Sequence, residues 1–489
     1  MKTMMKKLLC ASALLAASFG TAMAKDGYRI QLKFKNLRDS GFYLAHYFAK
    51  PLPTIYKNDS GNLDKTGSGI LSSTKKITGG MYMIMLSDRS TYFEFLLNNG
   101  DDLVINVDDI NLLPARGVSV KNSPENEAFF KYEDFVRNVG EEHQALNAQL
   151  AKAKNSVDSA AIKDKMSEKM KSLMSWRNDY NTKNPNSFLS KVFKGLELPK
   201  VPEEKHFLAN GEEDKDYAYR YYKTHYWDNF DLRDPRMINT PLYDSRLKEY
   251  FERLIIPVPD SVIKESDWIL AQTRGTGDLF NYTLSWLATY TQESKVMGMD
   301  KAYVHLVNTY YAKGDADWLS QDLLQKHLNH ARELAPNLIG NVGYNIVMKD
   351  SSGKNEVSVA DIKSKYKLLV MWDPTCGHCQ KEIPLIDSVY RAEHLKAKGV
   401  KIIGICTEDA IPAWKEFIKK HDLKDWVHIY DPERKSNYKA MYNAIVNPTI
   451  YLLDDKGIIR GKTIDHSNIA TLIEMLDKQE AEKKKTSSK

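Results

Sequence analysis

The chain has 489 residues, 42% of them hydrophobic, enough to build several cores and roughly two to four domains. Its 70 basic and 64 acidic residues nearly balance, and half of the net charge of +6 sits at Lys2, Lys6 and Lys7; with no basic stripe interleaved with stacking aromatics, a nucleic-acid partner is excluded. The cysteine count is 4, and two of these lie in one C-x-x-C, which excludes a disulfide-stapled scaffold.

Residues 1–24 combine the three lysines, an apolar run from Leu8 to Phe19, and small residues at Ala22 and Ala24. This is the layout of a secretory signal peptide, cleaved near Ala24 to leave a periplasmic chain beginning at Lys25. Leu8 and Leu9 replace the small residues that precede a lipoprotein cysteine, so Cys10 is expected to leave with the signal. No later segment has the ~18 apolar residues of a membrane helix, and the mature protein is expected to be soluble.

Residues 25–122 predict an all-β sandwich. Tyr28, Ile30, Leu32 and Phe34 alternate with Arg29, Gln31 and Lys33, the period of a half-buried strand. Further strands are expected at 42–48, 81–86, 92–97 and 103–107, separated by turn formers such as Gly79-Gly80 and Asn98-Asn99-Gly100-Asp101.

Residues 123–335 predict an all-α region. Ser123-Pro124 supplies an N-cap and a first-turn proline. Apolar residues then recur at helical spacing, first Phe129, Tyr132, Val136 and Val139, later Ile162, Met166, Met170 and Leu173. The aromatic-rich stretch 217–230, with His225, is expected to be core. His143, His206, His305, His327 and His330 show no H-x-x-x-H or carboxylate grouping beyond the His327/His330 pair, so no metal site is expected.

From residue 336 to 480 strands and helices alternate, which implies parallel pairing through crossovers. Strands are expected at 344–348, 368–372, 400–406, 427–430, 449–453 and 458–461, and helices at 376–394, 411–421, 433–444 and 467–479. Residues 481–489, with Lys483-Lys484-Lys485, read as a disordered basic tail.

The chemistry concentrates where strand 368–372 passes through Asp373-Pro374-Thr375 into Cys376-Gly377-His378-Cys379. A thiolate is the attacking species in disulfide exchange, and a helix N-terminus offers free N–H groups and partial positive charge that favour it. The spacer lets the second sulfur reach back and resolve a mixed disulfide. Cys376 is therefore expected to attack and Cys379 to resolve, the two forming a redox disulfide. A zinc site would need a second ligand pair, and a structural disulfide closing so short a loop would gain little stability.

The block Trp372-x-x-x-Cys376-x-x-Cys379-x-x-Glu382-x-Pro384, with Asn447-Pro448-Thr449 before a later strand, resembles the TlpA-like envelope thioredoxins. The resemblance implies a C-terminal α/β thioredoxin fold, a cis-proline loop that presents Asn447, Pro448 and Thr449 to an extended substrate, Trp372 beside them, and Glu382 as the acid that tunes the thiols. It implies no cofactor, cysteine-containing envelope proteins as partners, and a membrane electron donor if the protein is a reductase. His378 completes a C-G-H-C tetrad shared with protein disulfide isomerases and, protonated, would favour the thiolate. Thr375 departs from the aromatic usual before the first cysteine. Cys406 is expected to be an inert buried thiol. The sandwich and helical regions resemble modules attached to such domains in many Gram-negative envelope proteins. One reading is a thiol–disulfide oxidoreductase in which 336–489 folds alone and the preceding regions choose the partner. The alternative is a binding protein in which those regions recognise a ligand and the redox domain is subsidiary.

Overall fold

The computed structural model describes residues 26–113 and 116–487, so the signal-peptide reading and Cys10 lie outside the described residues. The chain divides into two compact units, one ending at Leu247 and one beginning at Lys248.

The first unit opens with the sandwich. Strands β1 (Tyr28–Phe34), β2 (Gly41–His46), β3 (Tyr56–Asn62), β4 (Ser68–Ser73), β5 (Gly80–Leu86), β6 (Tyr92–Leu97), β7 (Asp102–Val107) and β8 (Val118–Lys121) form two four-stranded sheets, ordered β4-β1-β7-β8 and β3-β2-β5-β6. Ile30, Leu32 and Phe34 of the first sheet share one apolar core with Phe42, Ile84 and Phe95 of the second. The edge strands β3 and β4 carry little apolar pattern; β3 reads YKNDSGN and buries none of its residues fully. Pairing to β2 holds it, which is why periodicity passes over it.

Helix α1 (Pro124–Leu150) starts at Ser123, whose hydroxyl accepts from the Asn126 N–H. Asn126 is itself buried, and its amide pairs with Leu96 of β6, accepting from the N–H at 2.7 Å and donating to the carbonyl at 2.8 Å. Helix α2 (Ser156–Lys183) buries only Leu173 of its expected apolar stripe. After α3 (Phe188–Gly195), the stretch 217–230 expected to be core is so only in its later part, since α4 (Tyr217–His225) buries none of its residues. The buried aromatics come just after it, at Tyr226, Trp227 and Phe230. Helix α5 (Tyr243–Glu249) spans the division between the units.

The second unit begins with α6 (Pro259–Thr273), α7 (Asp278–Gln292), α8 (Asp300–Leu306) and α9 (Gln321–Leu334). There follow β9 (Val347–Asp350), β10 (Glu356–Ser358), β11 (Tyr366–Trp372), α10 (Gly377–Ala392), β12 (Val400–Cys406), α11 (Ile411–Lys420), β13 (Val427–Tyr430), α12 (Tyr438–Met441), β14 (Thr449–Asp454), β15 (Ile459–Lys462) and α13 (Ile469–Ser487). The seven strands lie in the order β10-β9-β13-β12-β11-β14-β15.

All seven residues of β11 are buried, because alternate side chains feed two separate apolar clusters, Leu368, Val370 and Trp372 on one face and Leu369 and Met371 on the other. The expected parallel pairing holds for β11–β12 and β12–β13, but β14 runs antiparallel to β11 and to β15. A tight turn closed by Gly457 N–H to Asp454 O at 3.0 Å makes β14–β15 a hairpin. The helix expected over 433–444 contracts to α12, since the Asp431 carboxylate accepts from the Lys435 and Ser436 N–H groups and holds that stretch as a turn. In place of a disordered tail, α13 runs on to Ser487, supported by a Glu480–Lys484 ion pair at 2.7 Å. Among the described residues no helix is long and apolar enough to cross a membrane.

Candidate active site

The buried strand β11 delivers its C-terminal end to the surface at Asp373. That carboxylate accepts from the Thr375 N–H at 2.8 Å and from its hydroxyl at 2.7 Å, while the Cys376 N–H donates to the Asp373 carbonyl at 3.2 Å. Thr375, where an aromatic is usual, thus fastens the turn. Cys376 occupies the N-cap of α10, and the Gln380 side-chain amide ties back to the Pro374 carbonyl at 2.9 Å.

The two thiols of the motif stand in different environments. Cys376 is half-buried, and the Cys379 backbone N–H, aided by that of His378, holds its pKa below the ordinary thiol range. Cys379 is fully buried, and burial pushes its thiol up to about 12. Both are free thiols, so this is the dithiol counterpart of the expected disulfide. The Asn447–Pro448 peptide is cis, and the Cys376 sulfur lies 3.8 Å from the Asn447 carbonyl oxygen. The Asn447 side chain accepts from Thr407 at 3.2 Å, and the Thr449 hydroxyl donates to the Val446 carbonyl at 2.6 Å.

The remaining expected residues fall at varied distances from the thiols. Trp372, expected to meet the substrate, is fully buried against Phe417 with ring centres 5.0 Å apart, so it supports the loop from behind. His378 is exposed on the first turn of α10. Glu382 is buried one turn beyond Cys379, and its carboxylate accepts from the His466 N–H at 2.7 Å and meets the His466 Nδ1 at 2.9 and 3.0 Å. His466 lies 84 positions from Glu382, and no sequence pattern marks it as a partner. Cys406 ends β12 opposite Trp372; burial pushes its thiol up to about 11, and it donates to the Glu408 carbonyl at 3.2 Å.

A reactive thiol at a helix start, a buried thiol one turn on and a facing cis-proline define a thioredoxin-like oxidoreductase. Residues 339–462 match the AhpC/TSA family, and residues 154–335 match a domain of unknown function, DUF5106. The thiol-disulfide oxidoreductase ResA of Bacillus cereus is 32% identical over 126 residues, 26% of this chain and 69% of the relative. ResA of Bacillus thuringiensis is 34% identical over 119 residues, 24% of this chain and 65% of its own length. A crystal structure of a thioredoxin-like protein from Bacteroides caccae is 19% identical, covering 57% of this chain and 98% of its own, with a TM-score of 0.44. The chain belongs to the ResA-type thiol-disulfide oxidoreductases, of which it spans about two thirds of the relatives' length.

Proposed function

We propose that this is a periplasmic enzyme that exchanges disulfides with cysteine-containing envelope proteins through Cys376 and Cys379. The observation that carries the reading is the asymmetry of the two thiols at one helix start, the first depressed and half-buried, the second raised and buried. Export is supported by the lysine, apolar and small-residue layout of 1–24.

In the reducing direction, the Cys376 thiolate attacks a substrate disulfide, forming a Cys376–substrate disulfide and releasing one substrate thiolate. Cys379 then gives up its proton and attacks the Cys376 sulfur. The second substrate thiolate leaves, and two electrons have passed from the dithiol to the substrate. The raised Cys379 keeps its proton until the mixed disulfide forms. On this reading Glu382, buried one turn beyond Cys379 and anchored by His466, has the role of receiving that proton. The oxidising direction runs the same steps in reverse.

The reduction potential of the Cys376–Cys379 couple tests the reading and sets its direction. A value near about −180 mV assigns isomerisation or oxidation, and one below about −250 mV assigns reduction. A chain that never forms a Cys376–Cys379 disulfide at any ambient potential refutes exchange.

A further inference from the structure

Beside the redox centre the second unit holds a cleft of about 430 Å³, with walls from two parts of the sequence. One wall is the cis-proline loop, with Val446, Pro448 and Thr449; the other is the segment joining α7 to α8, with Val296, Met297 and Met299. Resting on the exchange reading above, we propose that this cleft receives an extended stretch of the substrate polypeptide next to its reacting cysteine, with an apolar side chain seated against Val296 and Val446. The helical region thereby supplies half of the substrate site.

The cleft neighbours the thiol through the cis-proline loop. Pro448 lines it, the neighbouring Asn447 carbonyl lies 3.8 Å from the Cys376 sulfur, and Met297 packs against the apolar cluster that Cys376 also touches. It also borders a strand with an open flank. Thr449, half-buried at the start of β14, pairs with Met371 of β11 on one side, whereas pairing with β15 begins only at Tyr451. A strand edge of this kind takes main-chain hydrogen bonds from an added extended segment, and neighbouring pockets then select its side chains. That favours a polypeptide over a compact small molecule. Each wall carries an apolar side chain open to solvent, Val446 70% and Val296 40% exposed.

The helical wall is pinned in place. Lys462, 8% exposed at the end of β15, donates to Asp300 at 2.6 Å and to the Asn337 carbonyl at 3.2 Å, and also bonds the Asn337 side-chain oxygen at 2.5 Å. Asp300 opens α8 directly after Met299, so this buried ion pair fixes the end of the segment that carries Val296 and Met297.

The test uses the full chain carrying Cys379→Ser, loaded at Cys376 either with a synthetic peptide that has one cysteine flanked by leucines or with free cysteine. Each is supplied as its thionitrobenzoate disulfide, from which the Cys376 thiolate displaces thionitrobenzoate. The peptide is expected to slow amide exchange over residues 294–299 and 449–451 where free cysteine does not. Equal protection by both, or none over 294–299, overturns the proposal. In the chain with both cysteines, Val296→Glu is expected to lower the ratio of specificity constants, peptide disulfide over cystine, by about tenfold, the discrimination a single apolar contact gives. An unchanged ratio also overturns it. Failure to load even free cysteine at Cys376 refutes the exchange reading itself, a result distinct from loading without protection.

Discussion

The sandwich and the redox sheet are both β cores, but they meet solvent differently. Strand β1 alternates buried and open positions along its whole length, so its sheet is covered on one face and wet on the other. Strand β11 is buried at every position, and its chain reaches water only where it ends. A sheet covered on both faces leaves the carboxyl ends of its strands as the place where a fixed backbone, a helix N-terminus and solvent coincide. Cys376 stands there, whereas the sandwich has an open face and no cysteine.

The largest expected effect separates the two regions outright. Cys376→Ser should reduce exchange to the background rate and leave the sandwich untouched, as read by amide exchange over residues 28–107. Cys379→Ser should accumulate mixed disulfides. In the dithiol form, iodoacetamide should label Cys376 with a pH midpoint below that of the unfolded chain's thiol, while Cys379 stays protonated until far more alkaline pH. The linked stability has opposite signs. The Cys376 contribution is present above the unfolded thiol pKa and lost as pH falls through its lowered pKa. Burial of Cys379 costs stability progressively as pH rises above that unfolded value toward about 12. Labelling of Cys379 first would reverse the assigned roles.

Next in size is the cost of cutting the second unit. A chain starting at Lys248 keeps Asp300 against Lys462; one starting at residue 336 leaves that buried ammonium with Asn337 alone. Removing one partner of a buried pair costs about 3–5 kcal/mol, and the retained Asn337 puts the expected loss at the low end. Urea unfolding of the two chains measures it. Equal stabilities would mean that residues 336–489 stand alone, as their sequence suggests.

A smaller effect belongs to the sandwich. Asn126→Leu strips the β6 main chain at Leu96 of both its partners and should cost about 1–3 kcal/mol in unfolding of the first unit, with the reduction potential unchanged. A change in potential would show that the two regions are coupled.

The same contrast explains what could be read in advance. Strands with strong apolar pattern were legible: β1, β11, β12 and β13 fall where alternation or apolar runs place them. The C-x-x-C and the Asn447-Pro448-Thr449 loop were legible because their chemistry is local in sequence. Elements held by pairing or side-chain hydrogen bonds were not. The polar edge strand β3 and the Asp431 turn that shortens α12 carry no periodic signal. His466 and Asp300 act across 84 and 162 positions, a separation that single-sequence patterns do not record.

The smallest expected effect concerns His378. Its imidazole is exposed, but its backbone N–H is one of those that hold the Cys376 thiolate. Proline fits the first turn of a helix and removes that N–H together with the imidazole. His378→Pro should therefore weaken the thiolate, destabilise the dithiol relative to the disulfide and lower the reduction potential by about 30 mV, which corresponds to ~1.4 kcal/mol for a two-electron couple. His378→Ala keeps the N–H and removes only the imidazole, so comparing the two variants divides the effect between ring and backbone. If alanine shifts the potential as far as proline does, the imidazole accounts for the whole tuning. If neither shifts it, the Cys379 N–H alone holds the thiolate and His378 is a spacer on the open side of the helix.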